Sequence, residues 1–327
     1  MLSWFLRRLM SAFLLVVVLV SAVFFIVRAA PGDPLDQVTA ADLGRQDRQL
    51  IRERWGLDAS PGEQYLRWLG GLARGDLGTS LHQQRPVAEI VGQALPATLL
   101  LTGTAYALHL LLAVAAALVM ATRRGTRVDR LVDGVGLTFY SLPGFWFGLM
   151  LILVFSRQLG WFPSGGLASP DADFMSAPRR LLDVAWHLAL PATCLALGSF
   201  MSTARHLRAS LIEVLDQDYV LAARSRGLPA HVVLTRHVLR NALLPVITLV
   251  GLSLPFLLGG AVVAETIFSW PGLGRVTIAA IFTRDYPVIM ATTAVTGVTV
   301  VAGSLLADLL YMWADPRVRL ERGAGRR

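Results

Sequence analysis

Six stretches of this chain contain no Asp, Glu or Arg, and each is long enough to cross a bilayer. They cover residues 9–27, 90–122, 134–156, 184–204, 241–264 and 286–307, with lengths of 19, 33, 23, 21, 24 and 22 residues. A helix needs about 20 apolar residues to traverse a hydrocarbon core, and within that core it satisfies its own backbone amides. The expected fold class is therefore an all-α polytopic membrane protein with six transmembrane helices. The charge content agrees. Only 16% of the 327 residues are charged, against about 25% in a typical soluble domain.

The charges that remain give an expected orientation. All 30 basic residues are arginine. Arg7 and Arg8 precede the first apolar stretch, which places the N-terminus in the cytoplasm by the positive-inside rule. With six spans, both termini lie inside. Seventeen arginines then fall on the cytoplasmic side and 13 outside, eight of the latter in one outer segment of residues 28–89. In a segment of that length the rule loses force. The first stretch, at 19 residues, exceeds the roughly 7–15 apolar residues of a signal peptide, so a retained span is expected. The net charge of +8 is accounted for at membrane edges and gives no reason to expect nucleic acid.

Four regions follow: a tail and first span at 1–27, a small helical extracytoplasmic segment at 28–95, a five-span core at 96–315, and a basic cytoplasmic tail at 316–327. In the outer segment, Ser60-Pro61-Gly62-Glu63 reads as a capping box with proline at the first helical position. Tyr65, Leu66, Trp68, Leu69 and Leu72 then form an apolar stripe at helical spacing. Pro86 marks a second helix start. His109 lies mid-span with no intramembrane carboxylate to relay protons with, so a helix–helix hydrogen bond is expected of it. Pro143-Gly144, Pro191, Pro255 and Gly259-Gly260 interrupt spans, which is tolerated where neighbouring helices or a cavity satisfy the freed backbone.

One polar stretch sits between two spans. Residues 216–245 read DQDYVLAARSRGLPAHVVLTRHVLRNALLP. Tyr219 to Arg226 is compatible with a helix, Gly227 suits the residue after a helix C-cap, and Pro229 suits the first turn of a second helix. Val232, Val233, Arg236 and Arg240 recur at three to four residues, giving that helix a mixed apolar and basic face. A helix–glycine–helix knob is a shape for docking another protein, and a solvated interhelical loop is the alternative. Farther on, FSWPGLGR at 268–275 has small residues and proline that suit a re-entrant or gating element better than a plain helix. Its candidate gate or pathway residues are Phe268, Trp270, Pro271, Gly272 and Gly274.

No catalytic constellation and no metal site are expected. There is no nucleophile elbow, no HExxH helix and no pair of carboxylates on one face. The single Cys194 allows neither an intrachain disulfide nor a cysteine metal site. Without lysine the chain has no phosphate-cradling GxxxxGK[ST] loop. Spans without Asp, Glu or Arg also weaken an ion-coupled secondary transporter, the alternative function, because such proteins keep ionisable groups in their spans. An external energy supply is then needed, and ATP hydrolysis on a bound partner is the simplest.

The docking stretch resembles the cytoplasmic loop of ATP-binding-cassette importer permeases, whose signature E-A-A-x-x-x-G is followed by L-P. Here it stands as Leu221-Ala222-Ala223, Gly227 and Leu244-Pro245. RAAPGDP (28–34), YLRWLGGLARGDLGTSL (65–81), RHVLRNALLP (236–245), FSWPGLGR (268–275) and DPRVR (315–319) resemble the dipeptide/oligopeptide/nickel permease family. The long outer segment after the first span is similar to the first of that family's two permease subunits. The signature glutamate is replaced by Leu221, which removes any salt bridge that acid would make. The resemblance implies a permease subunit in the bacterial inner membrane that forms the pathway for di- or oligopeptides, or a solute such as a nickel chelate. It implies as partners a second homologous permease subunit, two ATPase subunits and an extracytoplasmic solute-binding protein. The chain itself would hold no cofactor, ATP and Mg²⁺ being bound by the ATPases. The ATPase-docking residues it implies are Leu221, Ala222, Ala223, Arg224, Gly227, Leu228, Pro229, Val232, Val233 and Arg236.

Overall fold

The computed structural model describes residues 2–29, 58–239, 241–243 and 261–314. Among these residues the chain is helical, without a β-strand. In chain order come α1 Leu2–Ala29, α2 Pro61–Leu72, α3 Val87–Thr122, α4 Arg127–Ser141, α5 Gly144–Leu151, α6 Ala177–Leu197, α7 Phe200–Leu215, α8 Asp218–Ser225, α9 Ala230–Val232, α10 Leu273–Phe282 and α11 Tyr286–Ala314, with further helical residues at 241–243 and 261–267. Two π-helical segments, Ile152–Gln158 and Val233–Leu239, prolong α5 and α9.

Four of these helices contain stretches long and apolar enough to cross a membrane: Leu6–Ala29, Val87–Thr122, Ala177–Leu197 and Tyr286–Leu305. The third expected span differs from a plain helix. It is a pair, Arg127–Ser141 and Gly144–Gln158, bent by 102°. The break falls at Leu142 and Pro143, both with extended ψ, 136° and 125°. Proline restricts the residue before it to such conformations, so the helix stops where Pro143 requires. Of the fifth expected span, residues 244–260 lie outside the described residues, and with them Leu244-Pro245, Pro255 and Gly259-Gly260. The motif residues 30–34 and 315–319 and the tail at 316–327 lie outside them too.

The chain forms two compact units, residues 1–99 with 269–301, and residues 100–268 with 302–327. In the first, α2 begins with the expected capping box: the Ser60 hydroxyl accepts from the Glu63 amide and the Glu63 carboxylate accepts from the Ser60 amide. Tyr65 and Trp68 pack on Phe24 of α1, and the Tyr65 and Ser21 hydroxyls lie 2.6 Å apart. Leu66, counted in the same stripe, instead faces outward. The segment boundary expected before Pro96 falls inside α3, which runs unbroken for 36 residues. A buried carboxylate closes this unit. Asp285, preceding α11, accepts from the Ser80 hydroxyl and from the Leu81 and His82 amides. It thereby ties residues 80–82 to a site about 200 residues away in sequence.

In the second unit, α6 and α7 are separated by a break at Gly198 and Ser199. His109 of α3 lies opposite that break, with its ring nitrogens 2.8 Å from the Ser199 hydroxyl and 3.0 Å from the Thr203 hydroxyl. This is the interhelical hydrogen bonding expected of it. Asp183 accepts from the Ser169 amide and hydroxyl, at 2.7 and 2.6 Å, and so fastens the loop that precedes α6.

Candidate functional site

The docking stretch folds as a short helix, a glycine turn and a second helix. Helix α8 ends in a Schellman motif, in which the Gly227 amide donates to the Arg224 carbonyl and the Leu228 amide to the Ala223 carbonyl. Gly227 takes φ +75°, a left-handed conformation that costs a residue with a Cβ about 1–2 kcal/mol. Pro229 is the N-cap of α9 and does not sit inside it. The helix that follows is mostly π-helical, with i→i+5 hydrogen bonding, a form found often at functional sites.

Burial divides the expected docking residues into two sets. Val220, Ala223, Val233 and Val238 are buried and pack with Ala117, Ala121, Leu207 and Leu211 of α3 and α7. The pitch explains the pairing: in a segment bonded i→i+5, Val233 and Val238 come to one face, whereas the sequence expectation grouped Val233 with Arg236. The second set faces outward: Leu221 (49% exposed), Ala222, Arg224, Gly227, Leu228, Pro229 and Arg236. Val232 is half-buried. Ala223 therefore serves the protein's own core, while Ala222 and Leu221 are the members of the expected signature that face outward. Arg240 lies outside the described residues. An open cleft of about 690 Å³ adjoins the turn, with Arg124, Asp216, Arg224 and His231 at its edge and Leu215 and Leu234 among its apolar lining.

The base of the knob is fixed to its neighbours. The Asn241 amide group donates to the Tyr219 hydroxyl at 2.9 Å, joining the returning chain to α8. Two ion pairs hold α7, the helix that leads into the knob, to α4. Arg205 and Asp133 form a two-point pair at 2.8 and 2.7 Å, and Arg208 lies 2.8 Å from Asp129. Sequence reasoning used Arg205 and Arg208 only as orientation markers and passed over both aspartates, and its expectation that no two carboxylates share one face fails at Asp129 and Asp133. Their i, i+4 spacing at the start of a helix in an arginine-rich region was the available signal.

The candidate gate residues form a turn between the helix at 261–267 and α10. Phe268 and Trp270 are buried, as are Gly272 and Gly274, while Pro271 is exposed. The Phe268 carbonyl accepts from the Gly166 amide at 2.9 Å. The Trp270 indole donates to the Ala97 carbonyl at 2.8 Å, and the Thr98 hydroxyl accepts from the Leu273 amide at 2.8 Å, capping α10. Ser269 has φ +50° and its carbonyl accepts from Arg275 at 2.7 Å. Among the described residues no group of three His, Cys, Asp or Glu side chains is placed to hold a metal ion.

The described residues thus combine four apolar helices long enough to cross a membrane, one bent helix pair and an outward-facing helix–glycine–helix knob. Residues 113–320 match the family described as binding-protein-dependent transport system inner membrane component, and residues 1–102 match its N-terminal counterpart. The chain belongs to this family. It is 40% identical to the oligopeptide transport system permease protein AppB of Bacillus subtilis (strain 168), over 97% of this chain and 99% of that one. It is also 40% identical to the di/tripeptide transport system permease protein DppB of Pseudomonas aeruginosa (strain UCBPP-PA14), over 91% and 93%. Among solved structures, the inward-facing MetNI methionine ABC transporter matches with a TM-score of 0.56 and 15% identity, over 69% of this chain and 96% of that one. At that identity the likeness shows the fold.

Proposed function

We propose that this chain is a transmembrane subunit of an ATP-driven peptide importer, and that Leu221, Ala222, Arg224, Gly227, Leu228 and Pro229 form the contact for an ATPase subunit. The observation that carries this reading is the α8–Gly227–α9 knob. It is rigidly built on a buried valine core, yet it keeps an outward face of small, apolar and basic side chains. Burying each of its core valines contributes about 1.5 kcal/mol, so a push on the knob moves α7 and is not absorbed by the loop. The peptide substrate rests on the names of relatives 40% identical over nearly the full chain.

In this reading both termini and the knob lie in the cytoplasm of a bacterial cell and the 28–95 segment lies outside. A solute-binding protein delivers substrate to the outer face, a second homologous permease subunit completes the pathway, and two ATPase subunits bind ATP and Mg²⁺. Closure of the ATPases moves the knob and switches the pathway from outward to inward access. The Phe268–Gly274 turn is the outer gate element. An ion-coupled secondary transporter is not favoured.

Purification of the tagged chain from its own membranes tests the proposal. An ATPase pair and a second permease are expected to co-elute, and Gly227→Asp is expected to lose the ATPases while retaining the second permease. Elution of the chain alone, with uptake that follows an ion gradient, would overturn it.

A further inference from the structure

The knob must act on the membrane-spanning part, and one face of α7 carries the connection. Arg208, Arg205 and Met201 occur at intervals of three and four residues, so they share one stripe of that helix. On α4 the partners are Asp129, Asp133 and Gly136, at intervals of four and three. Arg208 meets Asp129, Arg205 meets Asp133, and Met201 meets Gly136, so the helices run antiparallel with matched stripes. The approach is close at the last position: a Cβ on Gly136 would run into the Met201 sulfur and fall 3.3 Å from the Phe200 ring. The Asp133 pair is a two-point guanidinium–carboxylate contact, the geometry that adds direction as well as strength. The Asp129 carboxylate also accepts from the Gly125 amide at 2.9 Å, which fixes the start of α4.

Eight residues beyond Asp133, α4 ends at Ser141, and the chain turns through 102° into α5 at Leu142 and Pro143. Helix α7, at its other end, reaches Asp216 and Gln217 and then α8. Two helices paired side by side thus join the knob to the bend between α4 and α5. We infer that α4 is the lever through which the knob changes the bend of the broken span, and that Asp129 and Asp133 are positioning residues that fasten this lever to α7. The inference rests on the docking reading of the knob. The fastening also has room for a second arrangement. Asp129 Oδ1 and Arg208 Nε are buried without a hydrogen-bond partner, so this pair uses one contact where a guanidinium and a carboxylate can make two. A second, two-point arrangement of this pair would give the lever two discrete states for the knob to bias.

The test uses the assembled transporter in lipid nanodiscs, with Cys194→Ala, Leu131→Cys and Leu149→Cys in this chain and spin labels on the two new thiols. Leu131 on α4 and Leu149 on α5 are exposed, on opposite sides of the bend. Their separation is measured by double electron–electron resonance, without nucleotide and with ATP plus vanadate. With both ion pairs intact, nucleotide is expected to shift the distance. Asp133→Arg or Arg205→Asp should abolish the shift while the ATPases still co-purify and hydrolyse ATP. The double reversal Asp133→Arg/Arg205→Asp, which rebuilds the pair, should restore it. A shift that survives both single reversals, or no shift with the pairs intact, overturns the lever while leaving docking in place. Failure of the ATPases to co-purify with the intact chain sinks the docking reading and the lever with it.

Discussion

The turns at Gly227 and Ser269 each connect helices through a residue of positive φ, and they are built in opposite ways. At Gly227 the turn is open, and no atom lies within 4 Å of the position a Cβ would take. The side chains flanking it, Ala222, Arg224 and Leu228, face outward. At Ser269 the turn is flanked by Phe268 and Trp270, which are 1% and 0% exposed. Its backbone is held by Arg275 and the capping of α10. The first turn is fixed by its own backbone bonds and offers a surface; the second is fixed by its surroundings and offers almost none. On the proposed roles this difference is expected: a docking turn should not depend on contacts that binding would disturb, whereas a gate turn should be held until something releases it.

The largest expected effect is at the second turn. Trp270→Ala removes a fully buried indole and should destabilise the protein by about 3–5 kcal/mol, read as a drop in thermal unfolding temperature in detergent. Trp270→Phe keeps most of the packing and loses only the bond to the Ala97 carbonyl, so about 1 kcal/mol is expected. Equal small losses for both would show that Phe268 and the α10 cap, and not Trp270, hold this turn.

The next effect separates the two faces of the knob. Ala223→Glu forces a carboxylate into the α3–α7–α8 contact and should unseat α8 at a cost of about 2–3 kcal/mol, the penalty for a buried polar group without a partner. Faster hydrogen exchange at the α8 amides measures it. Ala222→Glu, one position away and exposed, should leave that exchange unchanged and weaken ATPase retention alone. If both variants lose α8 protection, the division between inner and outer faces is wrong. Gly227→Ala comes third. The added Cβ meets nothing, so the whole cost is conformational, about 1–2 kcal/mol. Gly227→Asn should recover part of it, because Asn tolerates the left-handed region. Local exchange at residues 223–228 distinguishes the two.

Much of this arrangement was legible in the chain, and what was not has a common cause. Charge-free stretches gave the helices at 9–27, 90–122, 184–204 and 286–307 because membrane crossing depends on length and polarity alone. The Ser60 cap and the Gly227 turn were legible because they are made of residues adjacent in sequence. Pro143 announced a break, but not a bend of 102°, since the angle depends on what each half packs against. Ala222 and Ala223 are identical in sequence and opposite in role; only the valines around Ala223 decide which one faces inward. The pairs Asp133–Arg205 and Asp129–Arg208 span 72 and 79 residues, beyond any local pattern.

The smallest expected effect concerns the one place where the signature is altered. Leu221 occupies the position of the signature glutamate and is 49% exposed in the second residue pair of α8. Leu221→Glu should barely change folding. Glutamate near the N-terminus of α8 is favoured by the helix dipole, and Arg224 three residues on provides a partner worth about 0.2–0.5 kcal/mol. The change in stability, read from the unfolding temperature, should stay within the roughly ±0.5 kcal/mol typical of surface substitutions. Docking is the informative readout. If the ATPase meets Leu221 with an apolar surface, the new carboxylate is desolvated without a counter-charge and ATPase retention falls. If retention rises, the partner carries a cation opposite this position and the leucine is a loss that the rest of the knob makes up. The first outcome is expected, because Leu221 and Leu228 give the knob two exposed leucines where water alone would favour polar residues.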